Sequence, residues 1–374
     1  MSGSLQGRVI AAFSDRYQVD VLLASGETVA YQCPMKGTLK KAGLQVFAGD
    51  WVGLEACDAA SRTGWIAEIT PRRSQLLRPK VANVDQVVVI QPLAQPAFDP
   101  LALDRFLTHV TLAQMPVVIC LSKSDVAALS VTEIALAGYQ QLGWPVVATS
   151  IVDEQTLAQL RNLLAGKTTV LAGISGAGKS SLLNALHPGL RLKTQVVSER
   201  IERGQHTTRH VSLLSLPMVD EHGSPTWVAD TPGFSLLNFE THEPQTIAQG
   251  FPEWQSPVAI PLGIVPCHFA DCFHQHEDGC GVKAWLADKE EGGFWAQRYA
   301  HYQQFLQEAQ AGEAQYQKHE QGGYKALAHR GAQGGAQQRS SRQVVKLSVG
   351  TRELSRRKAR QVDWQVADGD EEGG

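Results

Sequence analysis

The segment Gly173-Ile174-Ser175-Gly176-Ala177-Gly178-Lys179-Ser180 spells G-x-x-x-x-G-K-S and lies near the middle of the chain. A strand-like apolar run, 168–172, precedes it, and a helix-like run, 181–186, follows it. This strand–loop–helix context confines the central region to an α/β domain built on a parallel sheet, because the motif holds phosphate only at that junction. Glycines at 173, 176 and 178 let backbone N–H groups converge on phosphate oxygens at the positive end of the helix. Gly173, Ser175, Gly176, Ala177, Gly178, Lys179, Ser180 and Ser181 are therefore the expected phosphate contacts. Lys179 would reach the β- and γ-phosphates as a catalytic cation, and Ser180 would ligate Mg2+.

Downstream, a strand-like Trp227-Val228-Ala229 runs into Asp230-Thr231-Pro232-Gly233. Asp230 is expected in the Mg2+ shell and the Gly233 N–H at the γ-phosphate. Between the two motifs lies the polar stretch Gly204-Gln205-His206-Thr207-Thr208-Arg209. Thr207 or Thr208 would complete the Mg2+ coordination as a switch segment. Phe234 follows Gly233, where Ras-like GTPases carry a water-orienting Gln. A phenyl ring neither donates nor accepts usefully, so slow intrinsic turnover is expected, with His206 as the candidate catalytic group.

The base-reading signal precedes the phosphate loop. A strand over 117–121 leads into Ser122-Lys123-Ser124-Asp125, a variant of N-K-x-D. The Asp125 carboxylate can accept from the guanine ring N–H and its exocyclic amine together, a pairing adenine does not offer. Ala148-Thr149-Ser150, after a strand at 145–147, would supply a supporting backbone contact to the base oxygen, with Ser150 as the candidate residue. Asn at this position ties the base loop to the phosphate loop; Ser122 has a shorter reach and fewer donors, which predicts lower guanine affinity with Asp125 still enforcing the choice of base. Both base elements come before the phosphate loop, so the motif order is circularly permuted.

Further on, Cys267-x4-Cys272 is followed by His274 and Cys280, with His268 and His276 as rival ligands. Three thiolates and an imidazole in a segment too polar for a core point to one closed, structural tetrahedral Zn2+ site. Cys33, Cys57 and Cys120, the rest of the six cysteines, are scattered and suggest no disulfide framework. At the N-terminus, strand-like runs at 7–11, 17–22, 28–31, 50–54 and 65–69 suit a small closed β-barrel. Lys36, Lys40, Lys41, Arg72 and Arg73 would meet nucleic-acid phosphates there.

The formal charge of −3 conceals an asymmetry: residues 324–364 hold ten Lys or Arg against two acids. Rich in Gln, Gly and Ser, this stretch reads as a disordered basic arm suited to phosphate backbones. With 374 residues, 43% hydrophobic, the chain has length and apolar content for two to three domains. No signal-peptide pattern and no long apolar run is present, which predicts a cytoplasmic protein without a membrane partner.

In their permuted order, these motifs make the chain resemble the ribosome small-subunit-dependent GTPases (RsgA/YjeQ) over roughly residues 5 to 310. The resemblance implies a multidomain fold: an N-terminal OB-fold β-barrel, a central α/β P-loop GTPase domain and a C-terminal zinc-binding domain with helices. It sets the expected boundaries at 5–78 for an OB-fold RNA-binding domain, 80–238 for the permuted GTPase, 239–318 for the zinc domain and 319–374 for the basic tail. It also selects His274, with Cys267, Cys272 and Cys280, as the zinc ligands. GTP/GDP, Mg2+ and one Zn2+ are the implied cofactors. A monomer is expected that binds the small (30S) ribosomal subunit through its rRNA, acts in late maturation, and hydrolyses GTP faster when bound. Two rivals are an RNA-binding scaffold with incidental hydrolysis and a P-loop ATPase or kinase; the latter has no account of Asp125.

Overall fold

The computed structural model describes residues 5–13, 16–77, 79–187, 189, 211–230, 238–255 and 258–331. Thirteen strands occur among them. They are β1 (Leu5–Ala12), β2 (Tyr17–Leu22), β3 (Thr28–Cys33), β4 (Trp51–Asp58), β5 (Thr63–Ile69), β6 (Gln75–Leu77) and β7 (Lys80–Ala82) in the N-terminal part. The central part adds β8 (Gln86–Pro92), β9 (Val117–Ser122), β10 (Val146–Thr149), β11 (Thr168–Ala172), β12 (Ser212–Val219) and β13 (Pro225–Asp230). The helices are α1 (Gly37–Lys41), α2 (Pro100–Leu112), α3 (Leu129–Gln140), α4 (Glu154–Leu164), α5 (Lys179–Leu186), α6 (Gly281–Leu286) and α7 (Phe294–Gly331).

Strands β1-β2-β3-β5-β4 form the expected barrel, closed by antiparallel pairing of β1 with β4, where Arg8 lies opposite Trp51. Inward residues of each strand fill it, among them Val9, Val19, Tyr31, Val52, Leu54 and Ile66. The second half of the sheet runs β10-β9-β8-β11-β13-β12, parallel except for β12. Strands β8, β9 and β11 are buried along their whole length, which is why they read as unbroken Val/Ile/Leu/Thr runs without alternation. Val87, Val89 and Ile119 pack beneath α2 and α3, while Val88, Ile90 and Val118 pack beneath α4 and α5. One bridge, Ala11 with Ser212, joins barrel and GTPase sheet.

Local signals fix the helix starts. Asp99 accepts from the Ala102 N–H with Pro100 at the first turn of α2, and Asp153 accepts from the Gln155 N–H at the start of α4. α7 runs to Gly331, beyond the expected tail boundary at 318, because 313–330 is dominated by Ala, Gln, Glu and Lys, strong helix formers that outweigh Gly322 and Gly323. Residues 332–374, which hold most of the basic arm, lie outside the described residues. Among the described residues no helix is long and apolar enough to cross a membrane.

Candidate functional site

The permutation resolves in the sheet order. β11, which delivers the phosphate loop, lies between β8 and β13. β9 and β10, carrying the base-reading elements, continue the sheet beyond β8, so strands that precede the loop in sequence flank it in space. Parallel alignment brings Ser122, Thr149 and Ala172 to the same edge of the sheet. An open parallel sheet binds its ligand at this carboxyl-end crevice.

Two glycines are dictated by geometry. At Gly173 (φ +142°), a Cβ would sit 2.2 Å from the Ile90 carbonyl oxygen, so the loop leaves β11 in a path only glycine can take. Gly178 (φ +89°) begins α5 in the left-handed region, turning the following N–H groups toward the loop's interior. Lys179 folds over the loop and donates from Nζ to the carbonyls of Gly173 and Ile174, both at 2.8 Å. Ser175 and Gly176 are exposed at the loop tip, Ala177 is buried, and Ser180 and Ser181 are half-buried in the first turn of α5.

The base loop is bolted to the phosphate loop at two points. Ser122 Oγ donates to the Ala177 carbonyl at 2.7 Å, buried. Lys123, in the left-handed region (φ +61°), donates from Nζ to the Gly176 carbonyl at 3.0 Å and to the Gln95 carbonyl. The loops approach closely enough for a hydroxymethyl to bridge them through its single donor. Asp125 is exposed, and Ser124 donates its N–H to Thr149 O at 3.2 Å, drawing the two base loops together. Ser150 donates its own N–H to Thr156 Oγ1 at 3.1 Å. Asp230 ends β13, next to β11. His206, Thr207, Thr208 and Gly233 lie outside the described residues.

Cys267, Cys272, His274 and Cys280 gather with all ligand atoms within 4.8 Å of one another. Cys267 Sγ and Cys280 Sγ are 3.8 Å apart and each is 3.4 Å from His274 Nδ1. Those are the edges of a tetrahedron with metal–sulfur bonds of about 2.3 Å and a metal–nitrogen bond of about 2.0 Å, the dimensions of zinc. Burial lowers the His274 imidazole below its ordinary value, with Glu277 opposing, which keeps it in the neutral form a ligand needs. Burial pushes the Cys272 and Cys280 thiols up, so they need a cation to become thiolates. Neither His268 nor His276 joins the group.

The loop around these residues is held from inside and from α7. Glu277 accepts the N–H groups of Phe273, Gln275 and His276, while Tyr299 and Tyr302 donate their hydroxyls to the carbonyls of His274 and Phe273. Partial burial would raise the Glu277 carboxyl, but these backbone donors hold it at about 2. α7 is in turn clamped to the GTPase domain. Arg298, 2% exposed, donates to Glu253 at 2.6 and 3.1 Å and to Asp104 of α2 at 2.5 Å. Asp104 also accepts from Tyr139 and pairs with His301, and Arg105 forms a bidentate pair with Glu308 at 2.6 and 2.7 Å. Isolated charged residues on amphipathic helices gave the sequence reading no signal for this clamp. In the barrel, Arg72 is consumed by Asp50, Gln45 and Gln75, and Arg73 pairs with Asp85. Arg72 thereby holds the barrel's own loops, while the Arg73 side chain stays 73% exposed beside its Asp85 partner.

Comparison with known proteins agrees with this geometry. Residues 69–240 match the profile of the RsgA GTPase family. The small ribosomal subunit biogenesis GTPase RsgA of Alkaliphilus metalliredigens is 38% identical over 303 residues, covering 81% of this chain and 97% of that protein. Its Bacillus subtilis namesake is 36% identical over 307 residues, with coverage of 81% and 97%. Among solved structures, YjeQ from Thermotoga maritima superposes with a TM-score of 0.65 at 28% identity, covering 82% of this chain and 98% of that one. YloQ, described as a circularly permuted GTPase, gives 0.62 at 32% identity, with coverage of 83% and 96%.

Proposed function

The chain belongs to the RsgA family of GTPases, and from that membership we propose that it binds the small ribosomal subunit, acts in its maturation and hydrolyses GTP to GDP and phosphate. The observation that carries this reading is the Ser122–Ala177 hydrogen bond, which joins a guanine-type base loop to a phosphate loop across a permuted sheet. Asp125 selects guanine over adenine by accepting two donors that only guanine presents. The loop's N–H groups and Lys179 stabilise charge as it develops on the γ-phosphate during in-line attack by water. Ser180, Asp230 and a threonine, Thr207 or Thr208, are the residues that would hold Mg2+, which would supply charge neutralisation at the phosphates. Phe234 contributes nothing to the attacking water, so turnover is slow until His206 is brought to bear.

The Cys267, Cys272, His274 and Cys280 set suits one structural Zn2+, with no open position for chemistry. Its role is to shape the loop that packs on α7, and through Arg298 and Glu308 to fix that region against α2. RNA contacts come from the barrel and the zinc domain. Such work belongs to the cytoplasm, where subunits mature, and one chain carries every element of the nucleotide site.

The test is GTP against ATP hydrolysis by the purified protein, with and without small subunits. A slow, GTP-selective rate that subunits raise by about a hundredfold supports the proposal. Binding without acceleration would favour an RNA-binding scaffold, and preference for ATP would remove Asp125 from its role.

A further inference from the structure

Arg8 stands on β1 of the barrel, yet all its side-chain partners but one belong to the GTPase sheet. It is 7% exposed. Its Nη2 donates to Thr168 Oγ1 of β11 at 2.7 Å, and its guanidinium lies 5.2 Å from the ring centre of Trp227 on β13 and 5.7 Å from that of Trp51 on β4. Thr168 and Trp227 are directly paired across β11 and β13. Arg8 therefore touches the N-terminal ends of two adjacent strands whose C-terminal ends carry the phosphate loop and Asp230. Thr168 is further fixed by Asp85, which accepts its N–H at 2.8 Å, and Asp85 pairs with Arg73 in the barrel linker.

We propose that Arg8 is a positioning residue that couples the barrel to the nucleotide site. A cation buried between two indole faces, with one directional hydrogen bond, has a single comfortable placement. Any tilt of the barrel against the sheet must drag β11 and β13 or give up the contact. Among the described residues the only backbone pairing between β1 and this sheet is the Ala11–Ser212 bridge, and Ile10 of β1 adds apolar packing in the same buried cluster as Val87 and Leu213, so Arg8 supplies the directional part of the contact. From Thr168 to Gly173 the push travels along a fully buried strand about 17 Å long, at roughly 3.3 Å per residue. Buried strands move as rigid elements because close packing leaves them no slack. RNA gripped by the barrel is thereby felt at the phosphate loop, and the nucleotide is felt at the barrel.

This inference rests on the proposed ribosome-dependent hydrolysis for its meaning in function, but the coupling can be read without ribosomes. Hydrogen exchange is measured on the free, full-length protein bound to GDP and to a non-hydrolysable GTP analogue. The expected result is a nucleotide-dependent difference in amide protection along β1 and β4, at least threefold in rate, that Arg8→Met abolishes and Thr168→Val reduces. Identical protection of β1 with the two nucleotides in the unaltered protein overturns the coupling. On subunits, Arg8→Lys and Arg8→Met are expected to keep unstimulated hydrolysis within about twofold and to lose about tenfold in stimulated kcat, with subunit affinity within threefold. Arg8→Lys keeps the charge and the stem while losing the planar stack, so its folding guards against a merely destabilised protein. Full stimulation in both variants overturns the proposal; a wild-type protein that subunits do not accelerate, yet whose β1 responds to nucleotide, overturns the functional reading and leaves the coupling standing.

Discussion

Ser122 Oγ donates to the Ala177 carbonyl at 2.7 Å, a buried contact across 55 positions of sequence that locks the base loop onto the phosphate loop. Its partner carbonyl belongs to the loop that must present N–H groups to phosphate, so fixing the carbonyl side turns the N–H side outward. Ser122→Ala leaves this buried acceptor unpaired, at a cost of about 1–3 kcal/mol. GDP affinity is expected to fall about tenfold with guanine preference retained, since Asp125 is untouched. Titration calorimetry with GDP and ADP checks it; unchanged GDP affinity would show the strut to be dispensable.

Gly173→Ala tests the loop itself. The added methyl would meet the Ile90 carbonyl oxygen at 2.2 Å, and backbone oxygen in a buried strand has nowhere to go. The loop, rather than β8, is expected to shift, weakening nucleotide binding by about a hundredfold while the protein still folds. Fluorescent-GDP binding alongside circular dichroism separates the two effects. Binding within threefold of the unaltered protein would contradict the close approach.

For the metal centre, Cys272→Ser is expected to drop zinc content from about one ion per chain to well below half, and to lower the melting temperature by about 10 °C, because site formation and folding are linked. Plasma emission spectrometry and a thermal melt measure both. Full zinc occupancy in the variant would mean that another residue completes the tetrahedron.

Arg298→Met uncovers two buried carboxylates, Asp104 and Glu253, and breaking such a network costs about 3–5 kcal/mol. Urea unfolding should register that loss. The double variant Arg298→Met with Glu253→Gln should recover part of it, since one orphaned charge is gone. No recovery would place the loss in packing against Phe251 rather than in charge.

His109 gives a pH signature. It stacks on Phe239 at 4.2 Å, and burial, followed by the neighbouring His242 and Arg105 side chains, lowers its pKa to about 3 from an ordinary value of 6.5. The unfolded chain then takes up a proton that the folded chain refuses. Stability from this group is complete above pH 6.5 and declines as pH falls from there toward 3. Between about pH 7.5 and 5.5 the loss is on the order of 1 kcal/mol, and His109→Phe should remove it. Urea midpoints at the two pH values decide; an equal decline in the variant would assign the pH dependence elsewhere.

What sequence alone determined was everything set by short-range pattern. The phosphate loop, the two base elements, the Asp230 strand, the barrel strands and the three-cysteine cluster are each defined by spacing within a few residues, and their chemistry requires those residue types; spacing left His268, His274 and His276 as rivals, and it is folding that places His274 beside the thiols. The permuted order was legible for the same reason, since order is itself a property of the sequence. Tertiary structure decided the contacts between segments far apart. A serine proved long enough to span two loops because the parallel register of β8, β9 and β11 brought them together. Arg72 was withdrawn from the surface because Asp50 lay beneath it. Arg8 and Arg298 look alike in sequence, single arginines within amphipathic strands and helices, and gained their roles only from what folding put around them: two indoles and a hydroxyl in one case, two carboxylates in the other. A charged side chain's partner is fixed by distance in space, and at separations of 160 or 194 residues the sequence carries no record of that distance.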